Sequence, residues 1–241
     1  MKNKGNLVLM AGMIAGLALV SVIGVIIPRV VDEVLQPPKS ALFKIGKVDS
    51  DQPHCSAFAI SPTVALTAKH CVEEPDPNQH PMEMMMRGPR MIPITSVKIY
   101  EEGQTASLGD TAMSVPPKHS QNDIAALRGD FSDRYQLPQN SYDFSVFINK
   151  EDEYETCGFP YMTPESVCTP MKVIANYGPM MRAMGFVIYG QSGGLVYNKT
   201  RKLAVGVISS MDDGSILFNP LVAIKELFNL SQEDVTPLRV K

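Results

Sequence analysis

Tryptophan is absent from this chain, cysteine is scarce, and there is no excess of positive charge. The four cysteines and four histidines contain no CxxC pair and no matched Cys/His spacing. Nothing therefore points to a zinc site, and no stretch reads as a cofactor motif. The run Met84-Met85-Met86 is an adaptable loop filler in this reading, not a cofactor box. A formal net charge of −3 excludes a nucleic-acid or anionic-lipid partner recognised through overall charge. From Ala41 onward no long stretch keeps a 3.6-residue apolar period until the C-terminus. Short apolar runs broken by Pro, Gly, Asn and Asp stand there instead, the pattern of an all-β barrel or sandwich. The missing tryptophan and the 15 methionines carry no functional reading of their own.

One long hydrophobic run is present. Residues 7–27 contain no charge and a single polar side chain, Ser21. About 20 apolar residues cross a bilayer as a helix, and a buried core helix would need a polar face that this run lacks. The expectation is an N-terminal transmembrane helix within residues 1–28. A cleaved signal peptide is the alternative, although Ile26-Ile27-Pro28-Arg29 offers no small-x-small cleavage site. Lys2 and Lys4 precede the run, and Arg29 follows it beside Asp32 and Glu33. The positive-inside rule then keeps the N-terminus cytoplasmic and sends the remaining chain outward. Gly12 and Gly16 form a small-xxx-small pair that could pack two spans. Residues 29–40, with Pro37 and Pro38, read as a linker. The cysteines fall in two pairs, Cys55 with Cys71 and Cys157 with Cys168, though four allow three pairings. Disulfides persist outside the cytosol, in agreement with the outward direction.

Three short stretches carry chemistry. Cys55-Ser56-Ala57-Phe58-Ala59-Ile60 reads as a strand, Ser61-Pro62-Thr63 as a turn, and Val64-Ala65-Leu66-Thr67-Ala68 as a returning strand that delivers His70 and Cys71. In Asn122-Asp123-Ile124-Ala125-Ala126-Leu127 one carboxylate enters an apolar strand. A buried carboxylate is costly unless a donor meets it, and an imidazole N–H is such a donor. Gly190-Gln191-Ser192-Gly193-Gly194 sits between Phe186-Val187-Ile188-Tyr189 and Leu195-Val196-Tyr197. Each stretch is weak alone. Together they set a base, an orienting carboxylate and a nucleophile in the order His, Asp, Ser, which is neither the α/β-hydrolase order nor the subtilisin order.

These stretches resemble the catalytic motifs of the chymotrypsin-like (trypsin-like) serine proteases. The resemblance spans roughly residues 41–230 and is strong at the three motifs. It implies two six-stranded antiparallel β-barrels followed by a C-terminal helix. On that reading residues 41–130 form the first barrel with His70 and Asp123, residues 131–232 the second with Ser192 and the helix, and 233–241 a tail. The implied activity is a serine endopeptidase acting on protein or peptide substrates, without cofactor or metal. The implied catalytic residues are His70, Asp123 and Ser192, with an oxyanion hole from the N–H groups of Gly190 and Ser192. Ser209 would support Asp123, Ser210 and Met211 would lie along the bound peptide, and Phe186 would stand near the base of the primary pocket. A disulfide Cys55–Cys71 is implied as well. A bridge Cys157–Cys168 follows instead from the hairpin reading of residues 157–173.

Several departures from the family pattern are informative. Gln191 stands where zymogen-activated members carry an Asp that pairs with a new N-terminus, and no activation site is evident. This points to the bacterial and viral branch, which needs no activating cut. Lys69 either points to solvent or, as a cation beside His70, favours the neutral imidazole. No Asp stands at the position of Phe186 and no His at Ile208, which disfavours cleavage after Lys, Arg or Glu. A small or apolar residue before the cut remains. His54, His80 and His119 lie outside the motifs and read as surface or structural histidines. Residues 73–93 read as a loop, and Leu221, Ile224, Leu227, Phe228 and Leu230 give residues 219–230 an amphipathic helical pattern. The rival classes are a catalytically silent, protease-like binding or scaffold protein and a serine esterase or other hydrolase on another fold.

Overall fold

A computed structural model describes residues 41–94, 96–101, 104–107, 112–114, 122–132, 137, 142, 144 and 146–223. The expected membrane helix, the linker, the tail, His119 and most of the expected C-terminal helix lie outside these residues. Among the described residues, no helix is long and apolar enough to cross a membrane.

The first half is built from β1 (Leu42–Lys47), β2 (Cys55–Ala59), β3 (Val64–Thr67), β4 (Glu73–Pro75), β5 (Met91–Pro93), β6 (Val97–Glu101), β7 (Gln104–Ser107), β8 (Ala112–Ser114) and β9 (Ala125–Arg128). The second half comprises β10 (Tyr154–Gly158), β11 (Val167–Tyr177), β12 (Met180–Met184), β13 (Leu195–Asn198), β14 (Leu203–Asp212) and β15 (Ser215–Pro220). The latter six close into an antiparallel barrel in the order β10-β11-β12-β15-β14-β13.

The expectation of two six-stranded barrels holds only for the second. The first half forms a seven-stranded sheet in the order β7-β6-β1-β2-β3-β9-β8. Its edge strands β7 and β8 pair inward, with β6 and β9, and not with each other, so no ladder closes it among the described residues. Sequence alternation reveals strands; it carries no signal for the pairing that shuts a barrel.

Why β2 reads as an almost unbroken apolar run is clear from its two faces. Alternate residues of a strand point to opposite sides. Cys55, Ala57 and Ala59 face the inside of the first sheet with Phe43, Ile45, Ala65 and Leu127. Phe58 and Ile60 face the seam between the halves, against Leu66, Ile124, Leu195, Tyr197 and Val207. β9 divides in the same way, Ala125 and Leu127 inward, Ala126 toward the seam. Val173, Ala183, Val196, Ile208, Ile216 and Phe218 fill the closed barrel. Three cores result, and the middle one is shared. Burying a side chain such as Phe58 stabilises the fold by roughly 1.5–3 kcal/mol.

Two expectations about elements are corrected. The 73–93 stretch contains β4, β5 and a short helix α1 (Pro81–Arg87) as well as loop. His80 caps that helix, its Nδ1 accepting from Met82 N–H at 3.2 Å, and Pro81 occupies the first turn. None of its residues is buried, so the run of methionines has no apolar stripe from which a period could be read. At the C-terminus, β15 extends through Asn219 and Pro220, where the sequence pattern would begin a helix; Pro220 pairs with Gly206, and helix starts only at Val222.

Candidate active site

The site lies along the seam. From the first half, the β2–β3 hairpin ends in a single 3-10 turn, Lys69–Val72, which presents His70. Ser61 shapes the hairpin turn, its Oγ accepting from Thr63 N–H and Val64 N–H at 3.2 and 3.0 Å. Cys71 is bridged to Cys55 on β2, which fixes the turn to the sheet. Behind it, His54 Nε2 lies 3.3 Å from the Cys71 carbonyl, a structural contact in keeping with its reading.

Asp123, just ahead of β9, grips the histidine twice. Its Oδ1 accepts from the His70 backbone N–H at 2.9 Å, and its Oδ2 lies 2.7 Å from His70 Nδ1. The second half supplies the rest of the cradle. Ser209 Oγ donates to Asp123 Oδ2 at 2.5 Å. It can do so because the β14–β15 register skips at Ser209, a bulge that turns its side chain out of the ladder. Asn219 clamps the aspartate backbone, its Oδ1 accepting from Asp123 N–H at 3.1 Å and its Nδ2 donating to Asp123 C=O at 2.7 Å. Asn219 is fully buried and was not legible as a site residue; its partner lies 96 positions away.

Electrostatics follow from these contacts. Burial opposes the charged imidazolium most strongly, but the Asp123 hydrogen bond, the Asp123 charge and Glu73 outweigh it. The His70 pKa is raised. For Asp123 burial opposes ionisation, yet the hydrogen bond and charge of His70 and the Ser209 hydroxyl hold it below the usual carboxylate value. Lys69 neither points freely to solvent nor acts on His70 as a bare cation. Lys69 Nζ pairs with Glu73 at 3.4 Å, so its charge is spent one turn away, and it is the carboxylate that acts on His70.

The 190–194 loop reaches the same place from the second half. Ser192 C=O accepts from Ser56 N–H at 2.7 Å and lies 3.9 Å from Cys71 Sγ, beside the histidine turn. Ser192 Oγ makes no hydrogen bond to His70, whose Nε2 lies 3.7 Å from Cys71 Sγ. The carbonyls that set the orientation of the loop are engaged. Tyr189 C=O accepts from Tyr161 N–H at 2.7 Å, Gly190 C=O from Ser56 Oγ at 2.9 Å, and Gln191 C=O from Gly194 N–H at 2.9 Å. In a trans peptide the N–H points opposite to the C=O. Pinning Tyr189 C=O and Gln191 C=O inward therefore turns the N–H groups of Gly190 and Ser192 away from the protein, and neither has a hydrogen-bond partner within it.

The glycines serve packing. Gly190 has φ 97°, and a Cβ there would stand 2.6 Å from Tyr161 N and 2.7 Å from Phe159 O. Its requirement comes from the 159–161 segment behind the loop. A Cβ on Gly193 would overlap Ser56 O and Thr67 Oγ1. Ser56 and Thr67 are thus further supports that the motifs did not flag: Thr67 Oγ1 donates to Ser56 C=O at 2.8 Å, and Ser56 Oγ reaches Gly190 C=O and Phe159 N–H in the opposite half.

Around this centre, Phe186, Ile188 and Tyr189 are exposed, Met211 is exposed on β14, and Ser210 is half-buried next to it. Tyr161 and Tyr189 rings meet edge-on at 5.3 Å. A depression of about 550 Å³ beside the histidine turn is lined by Lys69, Glu73, Glu83, Arg87, Arg90 and Met91 among others. Among the described residues, the two cysteine-containing clusters compact enough to surround an ion are Cys55, His70, Cys71 and Glu155, Cys157, Cys168. In each, both cysteines are tied up as a disulfide and have no thiolate to donate.

No family model matches the chain, and no curated protein matches its sequence. Solved structures do. The Rv3671c protease of Mycobacterium tuberculosis, in an inactive form, is similar with a TM-score of 0.55 at 15% identity, covering 79% of this chain and 88% of that one. A serine endoprotease from Yersinia pestis gives a TM-score of 0.56 at 15% identity over 79% of this chain, and 62% of that longer protein. Human heparin binding protein gives 0.57 at 14% identity over 85% of this chain and 97% of that one. The chain has the chymotrypsin-like serine protease fold, as its sequence motifs imply.

Proposed function

We propose that the protein is a serine endopeptidase using Ser192, His70 and Asp123. The observation that carries this reading is the double grip of Asp123 on His70, backed by Ser209, beside a serine flanked by two unengaged N–H groups. Ser192 Oγ attacks the carbonyl carbon of the scissile bond, and its proton passes to His70 Nε2. Asp123 holds Nδ1–H and favours the imidazolium. The oxyanion of the tetrahedral intermediate takes the N–H groups of Gly190 and Ser192. Collapse breaks the C–N bond, His70 protonates the leaving amine, and an ester on Ser192 remains. Water, deprotonated by His70, then hydrolyses that ester. No cofactor enters the scheme. Ser210 and Met211 line the bound chain, and the exposed apolar surface of Phe186, Ile188 and Tyr189 suits an uncharged residue before the cut.

Residues 7–27 are proposed to anchor the enzyme with its N-terminus cytoplasmic and the catalytic part outside; cleavage of that segment would release it. Carbonate extraction tests the anchor, since a spanning protein stays in the membrane pellet.

One observation favours the rival, a silent binding or scaffold protein: Ser192 Oγ and His70 are not hydrogen-bonded. Such contacts often tighten only with substrate in place. A fluorophosphonate probe decides. Ser192 labels in the wild type, and labelling disappears in Ser192→Ala and falls sharply in His70→Ala. A folded wild type that takes up no probe would establish the silent reading.

A further inference from the structure

We infer that Gln191 is the positioning residue that keeps the 190–194 loop ready for catalysis, its side-chain amide taking the place of an activating ion pair. The inference rests on the hydrolase reading above. Gln191 is 1% exposed, and all four of its polar groups are bonded within the protein. Its backbone N–H donates to Ile188 C=O at 3.0 Å, and its C=O accepts from Gly194 N–H at 2.9 Å. The side chain closes the same turn from the other side, Oε1 accepting from Ile188 N–H at 2.7 Å. Nε2 donates to Val167 C=O at 3.2 Å, at the start of β11.

The anchor at Val167 is itself fixed. Val167 precedes Cys168, which is bridged to Cys157 directly across the β10–β11 ladder. Cys157 in turn pairs with Leu195, the residue that follows the loop. Gln191 therefore ties the front of the loop to the strand pair that already holds its rear. The 188–191 turn it closes contains the Tyr189–Gly190 peptide, whose orientation aims the Gly190 N–H. Without the amide, Ile188 N–H loses its partner, and rotation of that peptide lets Ile188 recruit a new one at the cost of the oxyanion donor.

The chemistry explains the residue type. The site asks for one acceptor and one donor at the end of a four-atom reach. A glutamine amide offers both. Asparagine is one methylene short, methionine fits the volume but offers neither, and a carboxylate offers only acceptors to a site that contains a carbonyl.

The test uses the whole protein and the rate of fluorophosphonate labelling at Ser192. In Gln191→Met that rate should fall by about 100-fold, the scale of losing one oxyanion donor, while thermal unfolding stays cooperative. Gln191→Glu supplies a signature that a merely structural role would not. Its protonated carboxyl reproduces both bonds, and its ionised form cannot. The ratio of variant to wild-type rate should be near one at pH 5 and fall by roughly tenfold or more by pH 8, because burial keeps a carboxyl protonated to higher pH than usual. His70 titrates in both proteins, so the ratio isolates position 191. Where Gln191→Met fails to fold, Gln191→Glu decides alone. A labelling rate within twofold of wild type in folded Gln191→Met, or a ratio independent of pH, overturns the inference and leaves the hydrolase reading standing. If the wild type does not label at all, the hydrolase reading fails. Hydrogen exchange then still reads the clamp: faster exchange of the Ile188 amide in Gln191→Met supports it, and unchanged exchange overturns it.

Discussion

His70 and Asp123 perturb each other in opposite directions, and this separates the best pH for stability from the best pH for activity. The His70 pKa is raised above its ordinary 6.5, so the stability it contributes is full below that value and is lost as pH rises through the raised one. Asp123 is depressed below 3.8, so its contribution is full above 3.8 and is lost as pH falls through the depressed value. The pair supports the fold best between those limits. Catalysis needs the neutral imidazole and should rise only above pH 6.5. Thermal midpoints and kcat/KM measured across pH should therefore peak apart; coincident optima would contradict the coupling. Asp123→Asn should lower kcat by about 10,000-fold, as known for that change in the Ser-His-Asp template, because it favours the wrong imidazole tautomer. Asn219 makes a separate case. Asn219→Ala leaves a buried N–H and C=O of Asp123 without partners, costing about 1–3 kcal/mol, and should lower kcat more than it raises KM. Denaturant titration beside steady-state kinetics checks both halves of that statement. At this scale the sequence was legible where chemistry is written in a local motif, as at His70 and Asp123, which the fold brings together. Asn219 and Ser56 were not, because an asparagine and a serine in apolar strands look alike whether or not a partner waits in the other half of the chain.

Elements divide along the same line. β2, β3 and β9 could be read from apolar runs, and the turn between β2 and β3 from Ser61-Pro62-Thr63, since local sequence dictates them. Helix α1 could not, for it buries nothing and its methionines mark no face. The helical pattern that starts at Asn219 overruns the end of β15, because the Asn219 side chain and the Pro220 pairing are imposed by tertiary partners. The Cys55–Cys71 bridge connects two of the legible elements, the strand β2 and the turn that carries His70. It closes a loop with a sequence separation of 16 residues. Replacing both cysteines by alanine should destabilise the protein by about 3 kcal/mol on the loop-entropy estimate. The loss should also reach activity, because the bridge holds the histidine turn against β2. A double variant with wild-type midpoint and wild-type kcat would show that the turn is held by Asp123 alone. By contrast Met85, 88% exposed on α1, should tolerate alanine within about 0.5 kcal/mol.

On the scale of the whole molecule, the shared core decides how the halves behave. The closed barrel and the seven-stranded sheet each have an interior, but Phe58, Ile60, Leu66 and Ile124 belong to a core shared with Leu195, Tyr197, Ala204 and Val207 of the second half. The groups proposed for catalysis and their supports are divided across that seam, His70 and Asp123 on one side, Ser192, Ser209 and Asn219 on the other. Stability and activity should accordingly be lost together. Phe58 is fully buried at the centre of the seam and has no polar role. Phe58→Ala should cost about 3–5 kcal/mol through lost transfer energy and the cavity left behind. In urea, loss of far-UV circular dichroism and loss of Ser192 labelling should fall on one transition, in the wild type and, at lower urea, in the variant. Labelling lost well before the secondary structure would mean that the seam opens while each half stays folded. The two halves would then be separable units, and the site would exist only while they are pressed together.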